Sequence, residues 1–521
     1  MGRTKFVSAE EAVSYIKDGA TLAMGGFVGT CLPEELNKAL EKRFLDTGAP
    51  KNLTLMYAAG NGNAEYGVCH LAHEGLLDKL YCAHVGLTPQ LGELSNQNKV
   101  KLFMVPQGII GALCRGIAGH KPGIISNIGV GTYVDPRIEG CKGNQAAIDS
   151  GEEVVELFTY GGKEYLFYKT FPVDVCFLKG TYADEDGNIS LEEEGVLSDH
   201  LEFAAATHNS GGIVIVQVNK VLKNGSIAPK NIAIHNFLVD YVVVGSPENN
   251  MQVYDHPAYR LEISGQQRIP LSAIEPLPLN NRKVCARRGA MEITKDVLVN
   301  VGVGMGEAVG NVAGEEGLSD KFTFSTEAGP LGGVPLGGAG MGANFNFEAI
   351  NKQCDIFDIY DGGGLDITFL GAAQFDCKGN VNVSKFSGRM VGPGGFINIS
   401  QTAKKVCFLG TFTAVGLKEE IGDGKLTIVK EGKIKKFLNE VEQLTFSASS
   451  ALENGQTVIY ITERAVFKLT EKGLVLTEIA PGIDLQKDVL DQMEFTPIIA
   501  DDLKLMDERI FRPEKMGLTI E

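Results

Sequence analysis

Apolar residues come along this chain in short bursts, separated by glycine or by stretches of helical period. Ser8 and Glu11 stand three apart ahead of Ala12, Val13 and Ile16, a capping-box spacing that predicts a helix through Ile16 with Lys17-Asp18-Gly19 as its turn. Thr21-Leu22-Ala23-Met24 reads as a short strand, Gly25-Gly26-Phe27 interrupts it, and Pro33-Glu34-Glu35 opens a second helix with Leu36 and Leu40 one turn apart. Similar bursts follow at Leu53 to Met56, Leu102 to Val105, Val173 to Leu178, Ile213 to Val218 and Val242 to Val244. Short strands alternating with helices or glycine-rich links predict a layered α/β fold.

The pattern repeats. Phe177-Leu178 leads to Asp184 and Gly187-Asn188-Ile189, and 192 residues later Phe369-Leu370 leads to Asp376 and Gly379-Asn380-Val381. Lys17-Asp18 precedes Gly25-Gly26 as Lys295-Asp296 precedes Gly302 and Gly304, an offset of 278, so the first half carries about 86 extra residues. A weaker third echo sets Gly211-Gly212-Ile213 against Gly394-Gly395-Phe396. Two related α/β domains follow from the preserved order. Pro270, Pro276 and Pro278 with Asn280-Asn281 place the boundary near 280, giving domains 1–280 and 281–521; the alternative is a rigid connection within a continuous interface. TVIYITERAVFKL and LVLTEIAPGIDL, after about residue 455, read as antiparallel strands followed by a short helix that finishes the second domain.

Composition narrows the class. At 521 residues and 44% hydrophobic content the chain exceeds one core and can fill two. A formal charge of −17 leaves no basic surface on average for nucleic acid or an anionic membrane, although a local pocket for a phosphorylated small molecule fits inside that sum. No run of about 18 apolar residues occurs, and the start, MGRTKFVSAEEAVSYIKDG, lacks a leader's apolar core, so a soluble cytoplasmic protein is expected. The ten cysteines never form CxxC, which fits reduced thiols. The 64 glycines, about one residue in eight, have no collagen period and point to turns and close backbone approaches.

The densest glycine region follows Phe324-Ser325-Thr326-Glu327-Ala328-Gly329 and runs to Gly342. A glutamate between a short strand and so much glycine can be held in a tight turn open to a ligand, which makes Glu327 a candidate catalytic group; the bland reading is a carboxylate that caps a turn or pairs with a cation. An ionised carboxylate can itself attack an activated acyl carbonyl where donors surround the developing charge. GGF at 25–27, GVGT at 129–132 and GPGG at 392–395 can each bring backbone amides to an oxyanion or phosphate, or simply serve as turns. GGFVG and GVGMG fall short of a dinucleotide fingerprint, and no GxxxxGK[ST] loop is present, so neither NAD nor ATP is implied. Cys69, His70 and His73 lack a fourth partner at metal-site spacing, so no metal is expected.

DGATLAMGGF at 18–27, PQG at 106–108, GVGTYVDPR at 129–137, TEAGPLGGVP at 326–335, YDGGGLD at 360–366 and FLGAAQFDCKGNVNVSKF at 369–386 occur in one order. In that combination the sequence resembles the family I CoA-transferases along essentially its whole length, and is most similar to fused-chain propionate or acetate CoA-transferases that also accept lactate. The resemblance implies two related open α/β domains with the active site at their interface. It implies Glu327 as the nucleophile, with Gly25, Gly26, Phe27 and Gln107 in the oxyanion and acyl region. Gly129 and Gly131, Gly362, Gly363 and Gly364, Gly371, and Gly394 and Gly395 are implied on the side of coenzyme A. No permanently bound cofactor is implied; coenzyme A, acyl-CoA and short monocarboxylic acids such as acetate, propionate, butyrate and lactate are the substrates. A homotetramer, alternatively a homodimer, has the same warrant. Other uses of such a cleft are an acyl-CoA hydrolase working through the same glutamate and a non-enzymatic acyl-CoA binding protein. The chain departs from the commoner family pattern at Cys31-Leu32-Pro33 and at Thr326-Glu327-Ala328-Gly329, where Ser-Glu-Asn-Gly is frequent.

Overall fold

A computed structural model describes residues 4–256, 258–302 and 304–520; Val303 of the GVGMG segment and Met1 to Arg3 of the chain start lie outside them. Strands β1 (Lys5–Phe6), β2 (Thr21–Met24), β3 (Leu53–Tyr57), β4 (Leu77–Cys82), β5 (Lys101–Met104), β6 (Val175–Lys179), β7 (Ile213–Val218) and β8 (Tyr241–Val244) form one sheet, ordered β1-β8-β7-β6-β2-β3-β4-β5. Every pairing in it is parallel. The central strands are apolar on both faces because helices cover both; Val175 to Lys179 are all buried.

The second sheet holds β9 (Leu298–Val301), β10 (Thr323–Ser325), β11 (Pro330–Leu331), β12 (Ala349–Ile350), β13 (Ile367–Gly371), β14 (Lys405–Leu409), β15 (Thr457–Ile461), β16 (Ala465–Thr470), β17 (Gly473–Ile479) and β18 (Ile498–Leu505), ordered β12-β11-β10-β9-β13-β14-β15-β16-β17-β18. Its parallel centre, β15-β14-β13-β9-β10, repeats the order β8-β7-β6-β2-β3 of the first sheet, so the α/β unit is duplicated. The antiparallel run expected after residue 455 is β15 to β17, to which β18 adds a parallel edge strand with no clear sequence signal.

The aspartate echo is a real structural repeat. Asp184 Oδ1 accepts from the backbone of Asp186 and Asn188, and Oδ2 from the Asn188 side chain at 2.8 Å. Asp376 does the same with Lys378 and Asn380. The lysine echo is out by one position: Thr21 opens β2 and Leu298 opens β9, so structural equivalents stand 277 apart. The third echo is coincidence. Gly211-Gly212 lead into β7, whose counterpart is β14 beginning at Lys405, whereas Gly394-Gly395 lead into a helix.

Helices α1 (Ala9–Ser14), α2 (Glu34–Thr47), α3 (Gln107–Ala118), α4 (His200–Asn209), α5 (Gln353–Asp361) and α6 (Phe396–Thr402) matter most for the site. Ser8 caps α1 as expected, accepting from Glu11 N–H at 3.1 Å. A small, separate apolar cluster of Phe27, Val28, Cys31, Ala59, Val196, Ala328 and Met341 draws its members from both halves of the chain. Among the described residues no helix is long and apolar enough to cross a membrane. All ten cysteines are free, and nine are buried.

The start of α2 is braced by His70 and His73. His70 Nε2 meets Glu34 Oε1 at 2.8 Å and Nδ1 meets Glu41 Oε2 at 2.6 Å, while His73 Nε2 meets Glu41 Oε1 at 2.8 Å. Burial pushes the His70 imidazolium down, but Glu34 and Glu41 together outweigh it and hold its pKa above 6.5. A raised folded-state value means that the charged His70 contributes stability fully below its unfolded pKa and loses it as pH rises through the folded one. His70→Gln is therefore expected to destabilise the protein by about 2 kcal/mol at pH 6 and by less at pH 9 in denaturant titrations. An equal loss at both pH values would show that the charge is not involved.

Candidate functional site

Ligands of open α/β sheets bind beyond the carboxyl ends of the strands. Here both sheets direct those ends at one cavity of about 240 Å³. Phe27 and Val28 follow β2, Ala59 and Gly60 follow β3, His84 follows β4, and Gln107 opens α3 after β5. From the second sheet Gly302 follows β9, Glu327 follows β10, Leu370 and Gly371 end β13, and Gly394, Gly395 and Phe396 start α6. A larger cavity, about 720 Å³, lies between Leu191, Ile232 and Phe347. It contains none of the residues singled out in the sequence, and its carboxylates, Glu192 and Glu194, already accept hydrogen bonds from Asn231 and Lys179, so size is the poorer guide.

Glu327 sits in the turn between β10 and β11. Gly329 N–H donates to Thr326 O at 3.0 Å, Thr326 N–H to Pro330 O at 3.3 Å, and the Thr326 hydroxyl to Gly342 O at 2.8 Å. Its side chain is 5% exposed and Oε2 has no hydrogen-bond partner. Burial raises its pKa from 4.5 to about 7, against the opposing pull of its own backbone N–H and the Asn300 amide. Asn300 is held in turn: its Oδ1 accepts from Thr368 at 2.9 Å, and its Nδ2 donates to the Tyr360 hydroxyl at 3.3 Å, which donates to Ser325 Oγ at 2.8 Å. A poorly solvated carboxylate facing a cavity is a stronger nucleophile than a hydrated one. The reading of Glu327 as a carboxylate paired with a cation finds no ion pair among the described residues.

Opposite lies the GGF loop. Gly25 N–H is taken by Phe177 O and Phe27 N–H by Thr30 O, both at 3.0 Å, which leaves Gly26 N–H as the tripeptide's one donor without an acceptor among the described residues. Val28 and Cys31 adopt φ of +49° and +56°, costly for a β-branched residue and maintained because Val28 N–H bonds Gly60 O at 2.6 Å and its carbonyl accepts from Gly62 N–H at 2.7 Å. A Cβ on Gly342 would lie 2.6 Å from the Phe27 ring and 2.9 Å from Ala328, so that glycine lets the two loops touch.

Gln107 is 2% exposed, lines the cavity, and donates from Nε2 to Gln353 Oε1 at 2.8 Å. His84, which the sequence reading passed over, stands in the same wall; burial lowers its pKa to about 4, so the ring is neutral at pH 7. Phe27, Gln107, Glu327, Gly371, Gly394 and Gly395 thus share one cavity, with Gly25 and Gly26 in the backbone directly behind Phe27. Five predicted glycines lie elsewhere. Gly129 N–H is spent on Gln401 Oε1 and Gly131 N–H on Asp135 Oδ2. The amides of Gly362, Gly363 and Gly364 bond Asp358, Tyr360 and Ile359 carbonyls, so this run ends α5 and does not face the cavity.

A family model described as Coenzyme A transferase matches residues 6–245. Over 521 residues the chain is 46% identical to acetate CoA-transferase YdiF of Escherichia coli strain K12, covering 100% of this chain and 97% of that protein. It is 47% identical to caffeate CoA-transferase of Acetobacterium woodii over 520 residues, 99% of this chain and 98% of the relative. The crystal structure of the acyl-CoA transferase YdiF apoenzyme from Escherichia coli O157:H7 superposes with a TM-score of 0.94 at 45% identity, covering 100% of this chain and 98% of that one.

Proposed function

Because the chain belongs to the family I CoA-transferases, enzymes that work through a glutamate-bound intermediate, we propose that Glu327 carries that intermediate and that the acids exchanged are short monocarboxylates. A Glu327 carboxylate oxygen attacks the thioester carbonyl of acyl-CoA, the carbon–sulfur bond breaks, and CoA thiolate leaves an acyl-glutamyl anhydride. The thiolate then attacks the glutamyl carbonyl, releasing the first acid and forming glutamyl-CoA. An incoming carboxylate reverses both steps and departs as its thioester, with Glu327 regenerated. One thioester is broken and one made, so no ATP enters.

The observation that carries this reading is a buried carboxylate with an unpartnered oxygen at the meeting point of two sets of strand ends. Gly26 N–H and Gln107 supply donors toward the oxyanion, and Gly371, Gly394 and Gly395 border the side where the pantetheine arm enters. The cavity's apolar walls, Phe27, Val28, Leu370 and Phe396, and its volume of about 240 Å³ support acetate, propionate, butyrate and lactate as the acids exchanged. Pockets for drug-sized ligands run from roughly 300 Å³ upward. We set the domain boundary at 280/281 on the same footing, supported by the two apolar cores, the first almost wholly before residue 244 and the second beginning at Val284.

Incubation with propionyl-CoA without an acceptor, followed by intact-mass and peptide measurement, is expected to place one CoA on Glu327. Added acetate should discharge it as acetyl-CoA. Free thiol accumulating without acceptor would identify a hydrolase, and normal exchange by Glu327→Ala would sink the assignment.

A further inference from the structure

Asp199 is the residue before α4, where a carboxylate ordinarily caps its own helix, yet it makes no such bond. It reaches instead to the other half of the molecule. Its Oδ1 accepts from Cys354 N–H at 2.8 Å, in the first turn of α5, and its Oδ2 from Gln353 Nε2 at 2.8 Å. Gly111 on α3 makes room, since a Cβ there would lie 2.8 Å from Asp199 Oδ2. Asp199 is fully buried and Gln353 is 2% exposed. Asp199, Glu202 and Cys354 bring possible ligand atoms within 4.8 Å of one another. Both Asp199 oxygens already hold amide donors and Glu202 Oε1 holds Lys352 at 3.0 Å, while Glu202 Oε2 is buried without a partner.

These bonds have a direction. A carboxylate only accepts, so Gln353 must turn Nε2 to Asp199 and therefore Oε1 to Gln107. Gln107 must then turn its own Nε2 to Gln353, committing one N–H. That leaves the second N–H and Oε1 for the cavity, with Oε1 3.7 Å from where a Gly394 side chain would begin. We propose that Asp199 is a positioning residue for the transfer reaction, its carboxylate setting through Gln353 which end of the Gln107 amide faces the acyl cavity. This rests on the reading of that cavity as the acyl site.

The test is Asp199→Asn. The asparagine keeps Oδ1 for Cys354 N–H and so presents Nδ2 to Gln353; Gln353 flips, Gln107 flips in turn, and its Nε2 takes the place of Oε1. The expected result is a fall in kcat of about 10- to 100-fold, since a donor around a developing oxyanion has been misaimed, with KM for acyl-CoA changed less than about 2-fold. Gln353→Leu, which leaves Asp199 bonded to Cys354 N–H, is expected to give the same kcat, and it serves if Asp199→Asn does not fold. In a Gln107→Leu background neither change should lower kcat further by more than about 2-fold. Equal losses with and without Gln107 would reduce Asp199 to a structural role, as would a folded Asp199→Asn with wild-type kcat. Formation of glutamyl-CoA by the unmodified protein is measured alongside: its absence overturns the acyl-site reading, whereas its presence with a silent Asp199→Asn overturns the relay alone.

Discussion

Glu327→Gln is expected to abolish CoA exchange, by about 10⁴-fold or more, and to make the protein more stable. The first effect follows from the proposed role of Glu327 as the covalent nucleophile, for which an amide oxygen is no substitute. The second follows from burial: a carboxylate whose pKa rises from 4.5 unfolded to about 7 folded binds its proton more tightly in the native state. Stability associated with the protonated group is fully present below pH 4.5 and is lost as pH rises to and through 7. At 1.36 kcal/mol per unit, ionised Glu327 costs the fold about 3 kcal/mol at pH 8. The glutamine variant should recover that at pH 8 and gain nothing at pH 4, as read from denaturant midpoints. For the unmodified enzyme kcat/KM should climb with pH through about 7. A variant no more stable than the parent at pH 8 would mean that the carboxylate is better solvated than its unpartnered Oε2 implies.

Gly329→Ala is expected to cost about 10²-fold in kcat/KM and at least about 3 kcal/mol in stability. Gly329 holds φ at +128°, and an added Cβ would stand 2.0 Å from Asn351 O, a backbone atom fixed by the strand pair β11/β12. Asn351 N–H also bonds Gly329 O at 3.0 Å, so the turn cannot retreat without releasing that contact and carrying Glu327 with it. Gly317→Ala is the control. It too sits at positive φ, +76°, but is an exposed residue just past a helix end with nothing within 4 Å of the new carbon, so it should lose about 1 kcal/mol and no activity. Equal kinetic losses in the two variants would contradict the placement of the turn.

The parts of the site legible in the sequence were those with local signatures. Glu327 announced itself through its glycines, the GGF loop through the strand it interrupts, and the duplication through the Asp184 and Asp376 turns. Asn300 carried a faint signal, a polar residue inside the apolar burst Leu298 to Val301, buried and turned toward Glu327. Asp199, Gln353 and His84 carried none. Asp199 reaches Gln353 across 154 residues and Gln107 meets Gln353 across 246, and no periodicity spans such separations. Of the five expected glycines that do not line the cavity, three have a backbone reason of their own. Gly129, Gly131 and Gly363 need positive φ for turns, and that demand looks the same along a chain whether or not a ligand lies beyond the turn.

The cap that Asp199 places on α5 also has a consequence in time. Asp199 is added to the growing chain 155 residues before Cys354, its hydrogen-bond donor. At about 5–20 residues per second, the first sheet can assemble on the ribosome for roughly 8–30 s with that carboxylate unmatched. The nascent first half therefore carries an open acceptor at the surface that the second half will cover, and completes its own interior only when the start of α5 arrives.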